Sequence, residues 1–272
     1  MNESTPHGPG RISTHIVYVH GVGKHRKGYG QCWWNALVCN SKIICENQAD
    51  YARHEVLWNR KDKYVPEADP PTDCRHGHPD FPQNWIELAS LADFRRGEAD
   101  LCEYLAADAS DPKSFRYEAI ERCKETIKQV IDLHDDAKIV VIGHSMGTVV
   151  SFEALHQLGS PQDAIHAWIT IGTPLAWRAV RRDVKQRSRP SVVKRWVNIM
   201  DEQDFAHKLN LGKEITDFYS EVEDFTEDLP VVSDNCHDLP RVFPRGLCAH
   251  MHYFHSTNAK VNGDIAGHIL QP

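Results

Sequence analysis

No stretch of the 272-residue chain is apolar for long enough to span a bilayer; the best run, Ile139 to Ile142, is stopped by Gly143 and His144. The opening residues, Met1 to Gly10, lack a basic start followed by an apolar segment, so no signal peptide is expected. None of the eight cysteines (32, 39, 45, 74, 102, 123, 236 and 248) forms a CxxC pair. In a chain expected to be cytoplasmic they read as reduced thiols, with pairing of a few as the alternative if the chain is exported. Positive charge is also short: 31 Lys and Arg face 38 Asp and Glu, a net charge of −7. That balance excludes a general nucleic-acid footprint and disfavours an anionic membrane surface, so neither nucleic acid nor stable membrane insertion is expected. No repeat or low-complexity tract is visible. What is present, 41% hydrophobic and 25% charged residues, is ordinary globular composition, enough for one large domain over 1–272.

Strands and helices alternate along most of the chain. Ile16 to His20 reads as a buried strand ending in Gly21-Val22-Gly23, Cys32 to Ile44 as a helix, and Tyr51 to Trp58 as a second strand. Phe115 to His134 carries an apolar stripe (Ala119, Ile120, Cys123, Ile127, Val130, Ile131) at helical spacing. Lys138 to Ile142 is a fully apolar strand, Met146 to Leu158 a helix, and Ile165 to Ile171 and Lys194 to Met200 two more strands. Such alternation predicts an α/β fold with a mostly parallel sheet covered on both faces. Between Asn59 and Pro112 prolines break the pattern, leaving a short helix at Trp85 to Phe94, and the stretch reads as an inserted, lid-like segment. Arg178 to Arg195 holds eight bases and one acid, and Glu214 to Asp228 holds seven acids and no base. These read as a solvated helix face and a solvated loop, with a docking surface as the sharper alternative.

The segment Lys138 to Val150, KIVVIGHSMGTVV, runs a buried strand into Gly143-His144-Ser145-Met146-Gly147 and then into a helix. G-x-S-x-G in that setting is a nucleophile elbow, with Ser145 as the nucleophile. Glycines flank the serine because the turn is too sharp for side chains there. The helix N-terminus beneath it favours negative charge on an attacked carbonyl oxygen. A tetrahedral intermediate needs two donors. The N–H of Val22, in the glycine turn after the first strand, and that of Met146, after the nucleophile, are the expected pair. The same turn is neither a dinucleotide loop, since Arg26 stands where a third Gly would be, nor a phosphate loop, since Tyr29 follows Gly28. His20 reads as a structural tie for that loop.

A triad of this kind runs Ser, then Asp or Glu, then His. The strand ending at Met200 leads into Asp201-Glu202-Gln203-Asp204; Asp204 lies far enough into the loop to turn toward the serine, with Asp201 as runner-up. Among His237, His250, His252, His255 and His268, the choice for the base is His250, with His252 second. A neutral imidazole takes the serine proton, and the carboxylate holds its tautomer.

Together these segments resemble the α/β-hydrolase superfamily, in its lipase/esterase-like branch with HGxG and GHSMG signatures. Gly172-Thr173-Pro174-Leu175 resembles the GTP turn of many lipases, Trp196 to Ile199 followed by Asp204 their acid loop, and His250-x-x-Tyr253-Phe254 their HxxYW segment, in which the first His is catalytic. The last likeness supports His250 over His252. Thr148 departs from the second Gly that many lipases carry after the elbow. The early HGVG leaves no room for the two antiparallel strands that usually come first, which implies a sheet of about five or six strands.

The resemblance implies a carboxylic ester hydrolase working through an acyl-enzyme on a small-molecule ester, without a cofactor. Leu175, Trp177 and Tyr253, with Trp33 and Trp34, are candidates to line an acyl pocket, with plain core or surface packing as the alternative for each. Asp73, Cys74, His76 and His78 do not match the usual zinc spacing, so no metal is expected. The triad does not separate ester from thioester, amide or acyl-transfer chemistry, and a non-catalytic binding scaffold is the remaining reading. Oligomeric state is not encoded in any of these motifs.

Overall fold

Apolar residues alternate along the strands between two cores, one on each face of a single sheet. In the computed structural model, which describes residues 13–21, 27–58, 101–133, 137–159, 161–209, 213–227, 249–250, 253–254 and 258–271, that sheet has six strands. They are β1 (Thr14–Val19), β2 (Tyr51–Val56), β3 (Lys138–His144), β4 (Ala167–Ile171), β5 (Trp196–Asp201) and β6 (Val222–Glu227), in the spatial order β2-β1-β3-β4-β5-β6. Every neighbouring pair is parallel. Helices α1 (Gly30–Asn40), α2 (Lys42–Glu46), α3 (Phe115–Leu133), α4 (Met146–His156), α5 (Arg178–Asp183), α6 (Phe205–Lys208) and α7 (Ala259–Leu270) connect them.

Val17, Val19, Ile139, Val141, Trp168 and Trp196 point to one face, where they meet α3 and α4. Ile16, Tyr18, Val140, Ile142, Ile169 and Val197 point to the other, where they meet α1 and α7. A strand covered on both sides needs apolar residues at every position, which is why KIVVI reads as an unbroken run. The chain goes from β1 outward to β2, then returns to place β3 on the other side of β1. Strand order therefore reverses between β1 and β3, and in an open parallel sheet the crevice beyond the strand ends at such a reversal is where ligands bind. His20 and Gly21 follow β1, and Ser145 follows β3, with Val19 in register with Gly143.

Several expectations change. The helix from Cys32 divides at Ser41, whose extended backbone (φ −135°, ψ 108°) ends α1 and whose hydroxyl accepts from the Ile44 amide to start α2. The acidic stretch from Glu214 is no solvated loop: 222–227 form the edge strand β6, and Ile215 and Tyr219 are buried in the core. Its acids face the basic stretch, whose helix covers only Arg178–Asp183. Arg189 reaches Glu221 at 3.1 Å and Arg195 reaches Glu223 at 2.6 Å, while Arg181 lies over the Phe218 ring at 3.8 Å. Among the described residues two ion pairs, Arg189 with Glu221 and Arg195 with Glu223, join the two clusters. Of the lid-like segment, 101–112 is described, and its Tyr104 is core; the helix expected at Trp85 to Phe94 lies outside the described residues. Cys32 is disulfide-bonded, contrary to the reading of all eight cysteines as reduced, while Cys39, Cys45, Cys102 and Cys123 are free. Among the described residues no helix is long and apolar enough to cross a membrane.

Candidate active site

Ser145 stands at the junction of β3 and α4 with φ 52° and ψ −129°, a conformation that side chains other than hydrogen seldom adopt. Three contacts hold it there. Its amide donates to the Ile171 carbonyl of β4 at 2.9 Å, and its carbonyl accepts from the Thr148 amide at 3.0 Å and the Thr148 hydroxyl at 2.7 Å. The Thr148 hydroxyl also pairs with Thr173 Oγ1 at 2.6 Å, tying the elbow to the turn after β4. Sequence reasoning noted Thr148 only as a missing glycine; its part in bracing the elbow depends on Thr173, a partner on another strand's turn.

Gly147 packs the start of α4 onto the end of β1. A Cβ there would lie 2.2 Å from the Val19 carbonyl oxygen and 2.3 Å from that of His20, so backbone on both sides excludes any side chain. Gly21 sits over the serine: a Cβ on it would come within 2.8 Å of Ser145 Cβ and 3.3 Å of Oγ. The turn expected to carry an oxyanion donor therefore begins against Ser145, although Val22 itself lies outside the described residues. Met146 opens α4, where the helix leaves backbone N–H groups without internal acceptors. His20 is fully buried, with Nδ1 2.7 Å from the Gly21 carbonyl oxygen and its ring stacked on Trp58. That placement agrees with a structural tie.

Asp204 and His250 meet. The imidazole Nδ1 is 2.9 Å from Oδ2 and 3.0 Å from Oδ1, and both residues are buried. Asp201, the runner-up, accepts from the Gln203 amide through Oδ1 and shapes the loop. Asp204 also caps α6, accepting the Ala206 amide at 2.7 Å. His250 is fixed through its backbone as well: His144, beside the nucleophile, has Nε2 2.9 Å from the His250 carbonyl oxygen, and the two rings lie 4.9 Å apart. This places the imidazole beside the elbow. His250 Nε2 is buried with no hydrogen-bond partner among the described residues, and the Ser145 side chain makes no capping bond. His252 lies outside the described residues.

Gly172, with φ +56°, lies against both Asp204 and His250; a Cβ on it would stand 2.9 Å from Asp204 Oδ2 and 3.0 Å from His250 Nδ1. The residues suggested for an acyl pocket are placed differently from one another. Leu175 is fully buried, Trp177 is partly exposed and donates from Nε1 to the Ala206 carbonyl, and Trp33 stacks on Phe254 at 4.0 Å. Tyr253 is fully buried, and its hydroxyl donates to Asp204 Oδ2 at 2.7 Å. Leu175 thus packs in the buried core, and Tyr253 takes part in the hydrogen bonding around Asp204. Among the described residues no group of three His, Cys, Asp or Glu is placed to hold a metal ion, and Asp73, Cys74, His76 and His78 lie outside them.

A family model described as the alpha/beta hydrolase family matches residues 76–266, more than half of the chain. The chain belongs to the alpha/beta hydrolase family. Among solved structures, this hydrolase is similar to an alpha-beta serine hydrolase homologue from Coxiella burnetii, at 12% identity over 82% of this chain and 77% of that one, with a TM-score of 0.41. A comparison with curated proteins finds no match.

Proposed function

We propose that this hydrolase cleaves carboxylic esters of small molecules through an acyl-enzyme on Ser145. His250 is the general base, Asp204 the acid that holds its tautomer, and the N–H groups of Met146 and Val22 are the oxyanion donors. The observation that carries the reading is the Asp204–His250 contact at 2.9 Å beside a serine in a strained elbow. With the carboxylate on Nδ1, the proton of the neutral ring resides there and Nε2 is left as an acceptor for the serine proton. His250 then returns that proton to the leaving alcohol, and water repeats the sequence to release the acid. The negative charge on the carbonyl oxygen forms over the start of α4, where each well-placed donor is typically worth about 3–4 kcal/mol of barrier.

The segment 59–112 is proposed as an insertion within one domain spanning 1–272, its 101–106 portion anchored in the core through Tyr104. The test is hydrolysis of nitrophenyl esters from acetate to palmitate by the parent and by Ser145→Ala. A loss on the order of 10⁶ in kcat is expected for the variant. Equal hydrolysis by the two proteins refutes the proposal, and a marked preference for a thioester or amide over every ester transfers the same triad to that chemistry.

A further inference from the structure

A triad carboxylate needs one oxygen to hold its imidazole, and Asp204 has further donors. Oδ1 accepts the Ala206 amide at 2.7 Å, Oδ2 accepts the Tyr253 hydroxyl at 2.7 Å, and both oxygens lie within 3.0 Å of His250 Nδ1. The direction of the phenol's bond follows from its other neighbour. The Asp201 amide lies 2.8 Å from the Tyr253 oxygen, and an amide N–H only donates. The phenol's single proton is therefore directed to an acceptor; Asp204 Oδ2 is within ordinary range, whereas Met200 Sδ stands at 3.8 Å. Burial above all, then the Asp204 and Asp201 carboxylates, pushes the Tyr253 pKa well above the ordinary tyrosine value, so the phenol keeps this proton.

Among the described residues Asp204 has little else to orient it. Asp204 is the cap of the four-residue helix α6, beyond the last residue of β5. One amide at Oδ1 still permits the carboxylate plane to swing, and a second donor at Oδ2 removes that freedom. Tyr253 lies three residues after His250, so one short segment supplies both the base and the group that aligns its acid. Through the Asp201 amide it also ties that acid to the end of β5.

We propose, building on the triad read above, that Tyr253 is a positioning residue for the reaction: its hydroxyl sets the rotation of the Asp204 carboxylate and through it the orientation of His250. The phenol touches neither substrate nor the reacting atoms. Its effect passes through Asp204, so it vanishes when the carboxylate is gone.

The test uses the full chain and an activated nitrophenyl ester, with active sites titrated by a fluorophosphonate. Tyr253→Phe keeps the ring and removes the donor; kcat is expected to fall about 10-fold, as for one lost hydrogen bond to a charged group, with KM within about twofold. The same substitution made in an Asp204→Asn background is expected to change kcat by less than about twofold, because residues acting as a unit are not additive. Unchanged kcat in the single variant, an equal loss in both backgrounds, or a loss carried mainly by KM overturns the proposal. Should Tyr253→Phe lose its cooperative melting transition, 3-fluorotyrosine at position 253 keeps the packing and alters the donor. The low-field Nδ1–H proton resonance of His250 must then move, and an unmoved resonance overturns the proposal. Ser145→Ala measured alongside separates the failures. Undiminished activity there removes the triad and Tyr253's role with it, whereas an inactive Ser145→Ala beside an unimpaired Tyr253→Phe removes the role of Tyr253 alone.

Discussion

At Gly172 the constraint on a single residue is doubled. Its φ of +56° disfavours any side chain, and the space a Cβ needs is held by Asp204 Oδ2 and His250 Nδ1. Gly172→Ala is expected to cost about 1–2 kcal/mol of stability from the backbone alone. By displacing Asp204 and His250, the proposed acid and base, it should also lower kcat about 100-fold, since small misplacements of reacting groups are that costly; a melting curve and steady-state kinetics on one preparation read both. Asp204→Asn leaves the shape of the pair while losing its charge and tautomer control, and kcat is expected to fall about 10⁴-fold; because both carboxylate oxygens accept buried donors, the amide leaves one of them unmatched and the melting temperature should also drop. The motif GHSMG marked the strained turn at Ser145 because its residue types follow from local backbone sterics. Nothing in the sequence distinguishes Gly172 as a neighbour of Asp204 and His250, or Thr148 and Thr173 as a braced pair. Those contacts join residues far apart in the chain.

The helices α3 and α4 are locked by a charge pair within their packing. Arg116 Nη2 reaches Glu153 Oε1 at 2.5 Å, its Nε reaches Oε2 at 3.1 Å, and the Tyr104 hydroxyl donates to Oε2 at 2.8 Å, all in the buried interior. Since Ser145 caps the start of α4, this network anchors the helix behind the elbow. Glu153→Ala strands Arg116 without its partner and is expected to destabilise the fold by about 3–5 kcal/mol. Chemical denaturation measures the loss, and a change under about 1 kcal/mol would show that Arg116 finds water instead. The pairing of Arg195, just before β5, with Glu223 of β6 is partly exposed and contributes far less. Charge patterning along the chain revealed both clusters but not that they meet, because strand pairing brings Glu223 beside Val197, and no local spacing encodes that register. β6 was hidden for a related reason: an edge strand can carry acids that a central strand could not.

For the whole molecule, three histidines set a direction for stability with pH. Burial lowers the pKa of His156 below its ordinary 6.5, and burial aided by Lys138 and by Arg195 does the same for His166 and His268. On acidification the unfolded chain therefore takes up these protons before the folded chain does. The stabilising contribution is present above the ordinary value and is lost as pH falls through it toward the lower folded values. The melting temperature is expected to be lower at about pH 5.5 than at about pH 7.5, and replacing the three residues by Gln should flatten that dependence. The Cys32 disulfide carries a second consequence. Protein purified without reductant and then unfolded should expose two fewer reactive thiols than its eight cysteines provide. Such a bond is unusual in a reducing compartment, so a full complement of thiols would favour the expected cytoplasmic location and a deficit would oppose it.

The linear chain was sufficient for everything with a short period or a rigid local shape: the apolar runs of the central strands, the helix stripe from Ala119 to Val130, the elbow at Ser145, and the order in which Ser145, Asp204 and His250 follow one another. Distance along the chain could not settle which loop aspartate faces the imidazole, what braces the serine, or how the opposed charges divide among themselves. Those outcomes were decided when the parallel sheet placed the ends of β1, β3, β4 and β5 side by side. Only there does a carboxylate have a neighbouring phenol and a glycine a neighbouring imidazole, because proximity in the fold is set by burial on two faces of one sheet.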